Sequence, residues 1–283
     1  MDYDSTSRSA ALDAGTLHYH EAGEGPPLLL LHGSGPGVSA WANFGGNLDF
    51  FTRQWRVIMP DLPGYGKTPA SLGASPPETV KVVLQLMDSL GIEQADLIGN
   101  SFGGMVGSQI AAHHPARIRR FVSIGGIGFY ALSSFPAEGF RRLVDFVEDP
   151  NREKLTAWLK SMVYDESYVT EEMIEGRLAL ATQPEVLAAS RMVYSRAALN
   201  AIAAGMRGPN ALAGVSHLSS IQAPTLLCWG RDDRVTPLDG ALLPMRLIPN
   251  GELHVFPNCG HWTMIEQRAA FEAVVCAFLT RDL

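Results

Sequence analysis

Gly99-Asn100-Ser101-Phe102-Gly103-Gly104 follows the apolar run Ala95 to Ile98 and opens an apolar-periodic segment, Phe102 to Ala112. The run has the length of a buried strand and the segment after it has the spacing of a helix, so the six residues form a strand-to-helix turn. A serine between glycines in that context has the pattern G-x-S-x-G, in which a sharp turn lifts the hydroxyl out at the helix N-terminus. Glycine is needed on both sides because the turn brings backbone against backbone and leaves no space for a side chain.

A hydroxyl is a weak nucleophile at neutral pH and needs a base within hydrogen-bond reach and a third group to orient that base. The last third of the chain supplies both. Asp233 lies just beyond the apolar run Thr225 to Trp229, and His261 lies just beyond Leu253 to Phe256, giving the chain order serine, acid, histidine. Asp232 stands as the alternative acid, since adjacent loop residues point differently and order alone does not choose between them. His32-Gly33-Ser34-Gly35-Pro36-Gly37, after Leu28 to Leu31, fits a loop whose backbone completes an oxyanion hole, with the N–H groups of Ser34 and Phe102 as the expected donors. Its glycine spacing matches neither a dinucleotide fingerprint nor a phosphate-binding loop, so no cofactor is expected.

Six short apolar runs read as strands: Leu28 to Leu31, Arg56 to Met59, Ala95 to Ile98, Phe121 to Ile124, Thr225 to Trp229 and Leu253 to Phe256. They are continuous rather than alternating, as expected of strands covered by helices on both faces of a mostly parallel sheet. Thr79 to Leu90 is expected to be one of those helices. From about Tyr130 to Met206 the alternation stops, and patterns such as Phe140 to Val147 and Glu153 to Met162 are helical with no strand between them. The expected organisation is an α/β core in two parts, residues 1–130 and 211–283, with a helical cap, 131–210, inserted over the carboxyl ends of the strands, where such sheets bind ligands.

The bulk properties agree with an enzyme-sized globular chain of 283 residues, 46% hydrophobic and 18% charged. A formal net charge of −7 and no basic cluster argue against nucleic acid and anionic membranes. Three cysteines without CxxC spacing suggest neither a disulfide framework nor zinc, and a reducing cytoplasm is the expected compartment. The first ten residues lack the apolar stretch of a signal peptide, and no run has the length of a membrane span. Cys259 and His261 form one close pair of soft ligands without further partners, so no metal is expected. Asp61 in Asp61-Leu62-Pro63-Gly64-Tyr65-Gly66 reads as structural, and His113 and His114 before Pro115 read as helix-end caps.

With these pieces placed, the chain resembles the meta-cleavage product hydrolases, the branch of the α/β-hydrolases that breaks carbon–carbon bonds in ring-opened aromatic compounds. The resemblance runs through nearly the whole chain and rests on His32 to Gly37 with Trp41-Ala42-Asn43, on Gly99 to Gly104, on Trp229-Gly230-Arg231-Asp232-Asp233, on Cys259-Gly260-His261-Trp262, and on the segment Met162 to Asp165 through Gly176-Arg177. It implies hydrolysis of a 2-hydroxy-6-oxo-hexa-2,4-dienoate to 2-hydroxypenta-2,4-dienoate and a carboxylic acid, by enol–keto tautomerisation and a Ser101-His261-Asp233 triad. It also implies that Asn43, Asn100, Arg177 and Trp262 hold the carboxylate and 2-oxo end, and that the protein is a homo-oligomer, a dimer or larger. Ser34 departs from the glycine that many members carry there, and Thr236 is expected to line the pocket. A carboxylesterase or lactonase using the same triad is the nearest alternative, and a small-molecule receptor on this fold is the alternative of another class.

Overall fold

The computed structural model describes residues 1–130, 132–209 and 211–282. Ala131 and Asn210, the ends of the expected cap, and the C-terminal Leu283 lie outside the described residues.

The sheet holds β1 (Ser7–Leu12), β2 (Gly15–Ala22), β3 (Pro27–Leu31), β4 (Arg56–Pro60), β5 (Ala95–Asn100), β6 (Ile118–Ile124), β7 (Thr225–Gly230) and β8 (Gly251–Phe256). Their spatial order is β1-β2-β4-β3-β5-β6-β7-β8, with β3 to β8 parallel and β1 and β2 antiparallel. Along β3 the side chains alternate between two buried clusters: Leu28 and Leu30 join one, Leu29 and Leu31 the other, and all four are fully buried. The continuous apolar runs thus follow from a sheet with two buried faces.

One face is covered by the helices Pro76–Ser89 and Phe102–His113, through Val82, Val83, Leu86, Val106 and Ile110. The first of these begins three residues before the expected Thr79. Pro76 takes the opening helical position, where no N–H is needed, and Glu78 Oε2 accepts from Ser75 N at 3.2 Å. The other face is covered by the helix Arg268–Thr280, through Phe271, Val275 and Phe278, and by the inserted segment between β6 and β7.

That segment runs through the helices Glu138–Glu148, Arg152–Ser161, Glu171–Ala181, Pro184–Tyr194 and Arg196–Arg207. Phe146, Leu155, Trp158 and Ile174 from these helices belong to the same apolar cluster as Leu28, Val122 and Cys228 from the sheet. The cap therefore shares its core with the sheet face beneath it. No helix among the described residues is long and apolar enough to cross a membrane.

The hairpin β1–β2 is not among the strands the sequence predicts. β1 is mostly exposed, and β2 buries His18 and His20 where an apolar run would be expected. Both nitrogens of His18 and one of His20 are paired: Ser7 Oγ donates to His18 Nε2 at 2.8 Å, His18 Nδ1 donates to Asp61 Oδ2 at 2.8 Å, and Thr6 Oγ1 lies 3.0 Å from His20 Nδ1, while His20 Nε2 is buried without a partner among the described residues. Asp61 is 1% exposed and also accepts from Ala40 N at 2.8 Å and Lys67 N at 2.9 Å. Its carboxylate joins the hairpin to the loop after β3 and to its own turn, which is a structural task. Asp61→Ala leaves two buried donors and a third, half-buried one without an acceptor and should lower the unfolding free energy by about 3 kcal/mol. Urea unfolding reads this directly, and a loss below about 1 kcal/mol would contradict the account.

Candidate active site

β5 ends at Asn100, and Ser101 stands between it and the helix Phe102–His113 with φ 49° and ψ −112°. A non-glycine residue at positive φ is uncommon and costs energy, so the surroundings must hold it there. Ser101 N donates to Ile124 O of the neighbouring strand at 2.8 Å. The flanking glycines let the backbones close in: a Cβ on Gly103 would lie 2.1 Å from Leu31 O, and one on Gly99 would lie 2.3 Å from Gly103 O. The G-x-S-x-G spacing is thus a steric requirement of this turn.

His261 follows β8, and its Nδ1 donates to Asp233 Oδ2 at 2.7 Å, with both side chains fully buried. With Nδ1 carrying the proton, Nε2 is the acceptor nitrogen. Asp233 receives three further hydrogen bonds, from Val235 N at 2.7 Å and Thr236 N at 2.8 Å to Oδ1, and from Thr236 Oγ1 at 2.7 Å to Oδ2. Asp232 turns the other way and pairs with the guanidinium of Arg231 at 3.2 Å. The loop geometry therefore decides between the two aspartates, in favour of Asp233. Thr236, expected at the pocket wall, instead braces the acid and lies 3.1 Å from His261 Nδ1.

The loop after β3 is held from several sides. His32 is fully buried; its Nδ1 donates to Gly33 O at 2.5 Å and its Nε2 accepts from Leu62 N at 2.9 Å, while burial pushes its pKa down. Asn43 Oδ1 accepts from Gly33 N at 3.1 Å. The N–H groups of Ser34 and Phe102 have no acceptor among the described residues, as expected of the first residue of a helix in the second case. Ser34 Oγ accepts from Tyr194 Oη, which ties the end of the cap helix Pro184–Tyr194 to this loop.

A narrow cavity lies between sheet and cap. Ser34, Asn43, Asn100, Ser101, His261 and Trp262 line it together with Arg177 from the cap helix Glu171–Ala181. Asp233 stands behind His261, and the cavity is closed by Phe140, Leu143, Trp158, Met162 and Val235. Arg177 is 7% exposed, and burial pulls its pKa down to about 10. Its NH1 donates to Pro36 O at a long 3.4 Å, its guanidinium lies 5.7 Å from the Trp262 ring, and no carboxylate among the described residues forms an ion pair with it. A buried cation facing a cavity without a counter-ion is chemically poised for an anion.

Tyr194 and the apolar wall were not singled out from the sequence. Phe140 and Trp158 fall within helical patterns that could be recognised, but periodicity does not say which side of a cap helix meets the nucleophile.

A family model described as the alpha/beta hydrolase fold matches residues 26–267. A 2-hydroxy-6-oxononadienedioate/2-hydroxy-6-oxononatrienedioate hydrolase of Paraburkholderia phymatum is 39% identical over 95% of this chain and 93% of its own length. A 2-hydroxy-6-oxo-6-phenylhexa-2,4-dienoate hydrolase of Burkholderia cepacia is 36% identical over 93% and 91%. Among solved structures, a meta-cleavage product hydrolase of Pseudomonas fluorescens, CumD, in complex with acetates, superposes with a TM-score of 0.85 at 32% identity over 98% of both chains. These likenesses span the sheet, the cap and every segment that builds the cavity, and so the chain belongs to the α/β-hydrolase fold family, in its branch of 2-hydroxy-6-oxo-dienoate, or meta-cleavage product, hydrolases.

Proposed function

We propose that this protein hydrolyses the carbon–carbon bond of a 2-hydroxy-6-oxo-hexa-2,4-dienoate, releasing 2-hydroxypenta-2,4-dienoate and a carboxylic acid, with Ser101, His261 and Asp233 as its triad. The observation that carries this reading is Arg177, a buried guanidinium without an ion-pair partner among the described residues that shares one cavity with the serine and the histidine. An ordinary esterase has no use for such a cation beside its nucleophile, whereas a dienoate brings a carboxylate to meet it.

Direct cleavage of the dienol would expel a vinyl carbanion. Moving the 2-hydroxyl proton to C5 first gives a ketone, into which the departing electrons can spread. Arg177, Asn43, Asn100 and Trp262 hold the carboxylate and the 2-oxo oxygen, which gathers charge as the bond breaks. His261 Nε2 moves the proton and activates the attack on C6, while Asp233 keeps Nδ1 protonated. The N–H groups of Ser34 and Phe102 receive the oxygen of C6 as it becomes tetrahedral. Asn43 serves twice, since its carbonyl oxygen already fixes the Gly33 peptide and its amide nitrogen remains for substrate.

The two curated relatives differ at C6: a second carboxylate belongs to one named substrate and a phenyl group to the other. Besides His261 and the Tyr194 phenol, Arg177 is the only titratable side chain among the lining residues, and Phe140, Leu143, Trp158, Met162 and Val235 supply apolar surface. One cation serves one carboxylate, so the group at C6 is taken to be uncharged alkyl or aryl. The three cysteines are free thiols, which supports a reducing compartment.

Stopped-flow absorbance with yellow dienoates carrying alkyl, phenyl or carboxylate groups at C6 tests the reaction. Wild type should bleach them while Ser101→Ala stalls, and the diacid should react at least about tenfold more slowly in kcat/KM, because its second carboxylate is buried unpaired. Efficient cleavage of a simple aryl ester with every dienoate untouched would instead make the protein an esterase. Asp233→Asn should lower kcat by about 10⁴-fold, and Asp232→Asn by less than about threefold. Arg177→Met separates stability from function. Burial depresses the folded-state pKa of Arg177 to about 10, so the folded state bears a penalty for its charge that is fully present below that pH and fades only as pH rises toward the unfolded value. At neutral pH the variant should melt no lower than wild type while losing roughly 10- to 150-fold in kcat/KM, as expected for one charge-assisted contact.

A further inference from the structure

The loops that carry His261 and Asp233 are both hydrogen-bonded to one short stretch of the cap, residues 160–165, and the second also reaches the first cap helix. On the histidine side, His261 N donates to Met162 O at 2.7 Å. The preceding peptide is tied less directly. Gly260 N donates to Glu266 Oε2 at 2.6 Å, and Oε1 of the same carboxylate accepts from Tyr164 N at 2.7 Å and Asp165 N at 3.0 Å. On the acid side, Arg234 donates to Lys160 O at 2.6 Å and Val163 O at 2.7 Å, satisfying carbonyls at the end of the cap helix Arg152–Ser161. Arg234 O in turn accepts from Gly139 N at 2.8 Å, near the start of the first cap helix.

Glu266 is 7% exposed, and burial raises its pKa, an effect that its three backbone partners oppose. A carboxylate suits this position because both of its oxygens accept. A glutamine offers one accepting oxygen and turns two N–H donors toward a place already occupied by N–H groups. The fit is close on the other side too, where a Cβ on Gly260 would lie 2.7 Å from Met162 O.

We propose that Glu266 is a positioning residue for His261, locking the loop that bears the imidazole to cap residues 164 and 165 so that the base is aligned on Ser101 only while this part of the cap is seated. Glu266 touches neither the cavity nor the triad side chains and acts through the Gly260 peptide. The inference rests on the reading of His261 as the base of Ser101 given above.

The test compares wild type with Glu266→Gln in two assays: steady-state cleavage of a phenyl-substituted dienoate, and the second-order rate at which diisopropyl fluorophosphate labels Ser101. The phosphorofluoridate reagent is small, carries no carboxylate and needs only the serine and its base. Loss of alignment should lower both kcat and the labelling rate by on the order of 10- to 100-fold, with KM within about threefold of wild type. A merely structural Glu266 would leave labelling at the wild-type rate, and that result overturns the proposal. Hydrogen exchange on wild type provides the check that needs no variant. Peptides containing Gly260 should open together with those containing Tyr164 and Asp165, and independent exchange of the two would equally overturn the proposal. A wild type that is labelled at Ser101 but cleaves no dienoate would sink the substrate reading alone, since the labelling comparison still judges Glu266.

Discussion

The approach of Gly103 to the end of β3 is the contact on which the site depends. With a Cβ at that position only 2.1 Å from Leu31 O, the helix could not start where it does. Because it starts there, Ser101 is held at positive φ at the carboxyl end of the interior strand β5, Phe102 N–H is left at the helix opening, and the loop from His32 to Gly37 passes directly beside both. The exposure of the Ser101 hydroxyl and that of the Phe102 N–H are thereby products of one backbone contact. The strain at Ser101 is sustained by the two buried faces of the sheet, whose apolar clusters leave the turn no room to relax.

Around this contact the buried charges fall into two kinds. Asp61, Asp233 and Glu266 are each surrounded by three or four donors and do their work by fixing backbone: the hairpin and its loops, the imidazole of His261, and the cap segment near residue 164. Arg177 is the contrast, buried as deeply but with one long hydrogen bond to a carbonyl and an aromatic face for company. Satisfied charges specify structure, whereas an unsatisfied one beside a cavity specifies a ligand. The cap supplies Arg177, Tyr194 and all of the apolar wall but Val235, yet it shares its core with the sheet and is hydrogen-bonded to the loops that carry His261 and Asp233. One insertion thus both lines the cavity and holds those two loops.

Much of this was legible from residue order. Continuous apolar runs exist because both sheet faces are covered, and the glycines of the elbow and the order serine, acid, histidine follow from local sterics and strand ends. The hairpin β1–β2 was not legible, because its burial relies on histidines paired across the chain with Thr6, Ser7 and Asp61, and polar residues give no apolar period. Thr236 was misplaced for a related reason: a hydroxyl three residues from the acid can face the pocket or the carboxylate, and only the turn determines which.

By itself, then, the sequence determined the mostly parallel core, the presence of a helical insertion, the serine turn, and the place of His261 just after a strand, because each is encoded within a few consecutive residues through periodicity, glycine sterics or placement at a strand end. Only the tertiary structure decided that Asp233 rather than Asp232 meets His261, that Arg177 stands buried without a counter-ion among the described residues, that Ser34 is bonded by Tyr194, and that Glu266 joins the histidine loop to the cap. Those relations connect residues distant along the chain or choose between adjacent ones, and the direction of a side chain is set by the packing around it, which no local pattern contains.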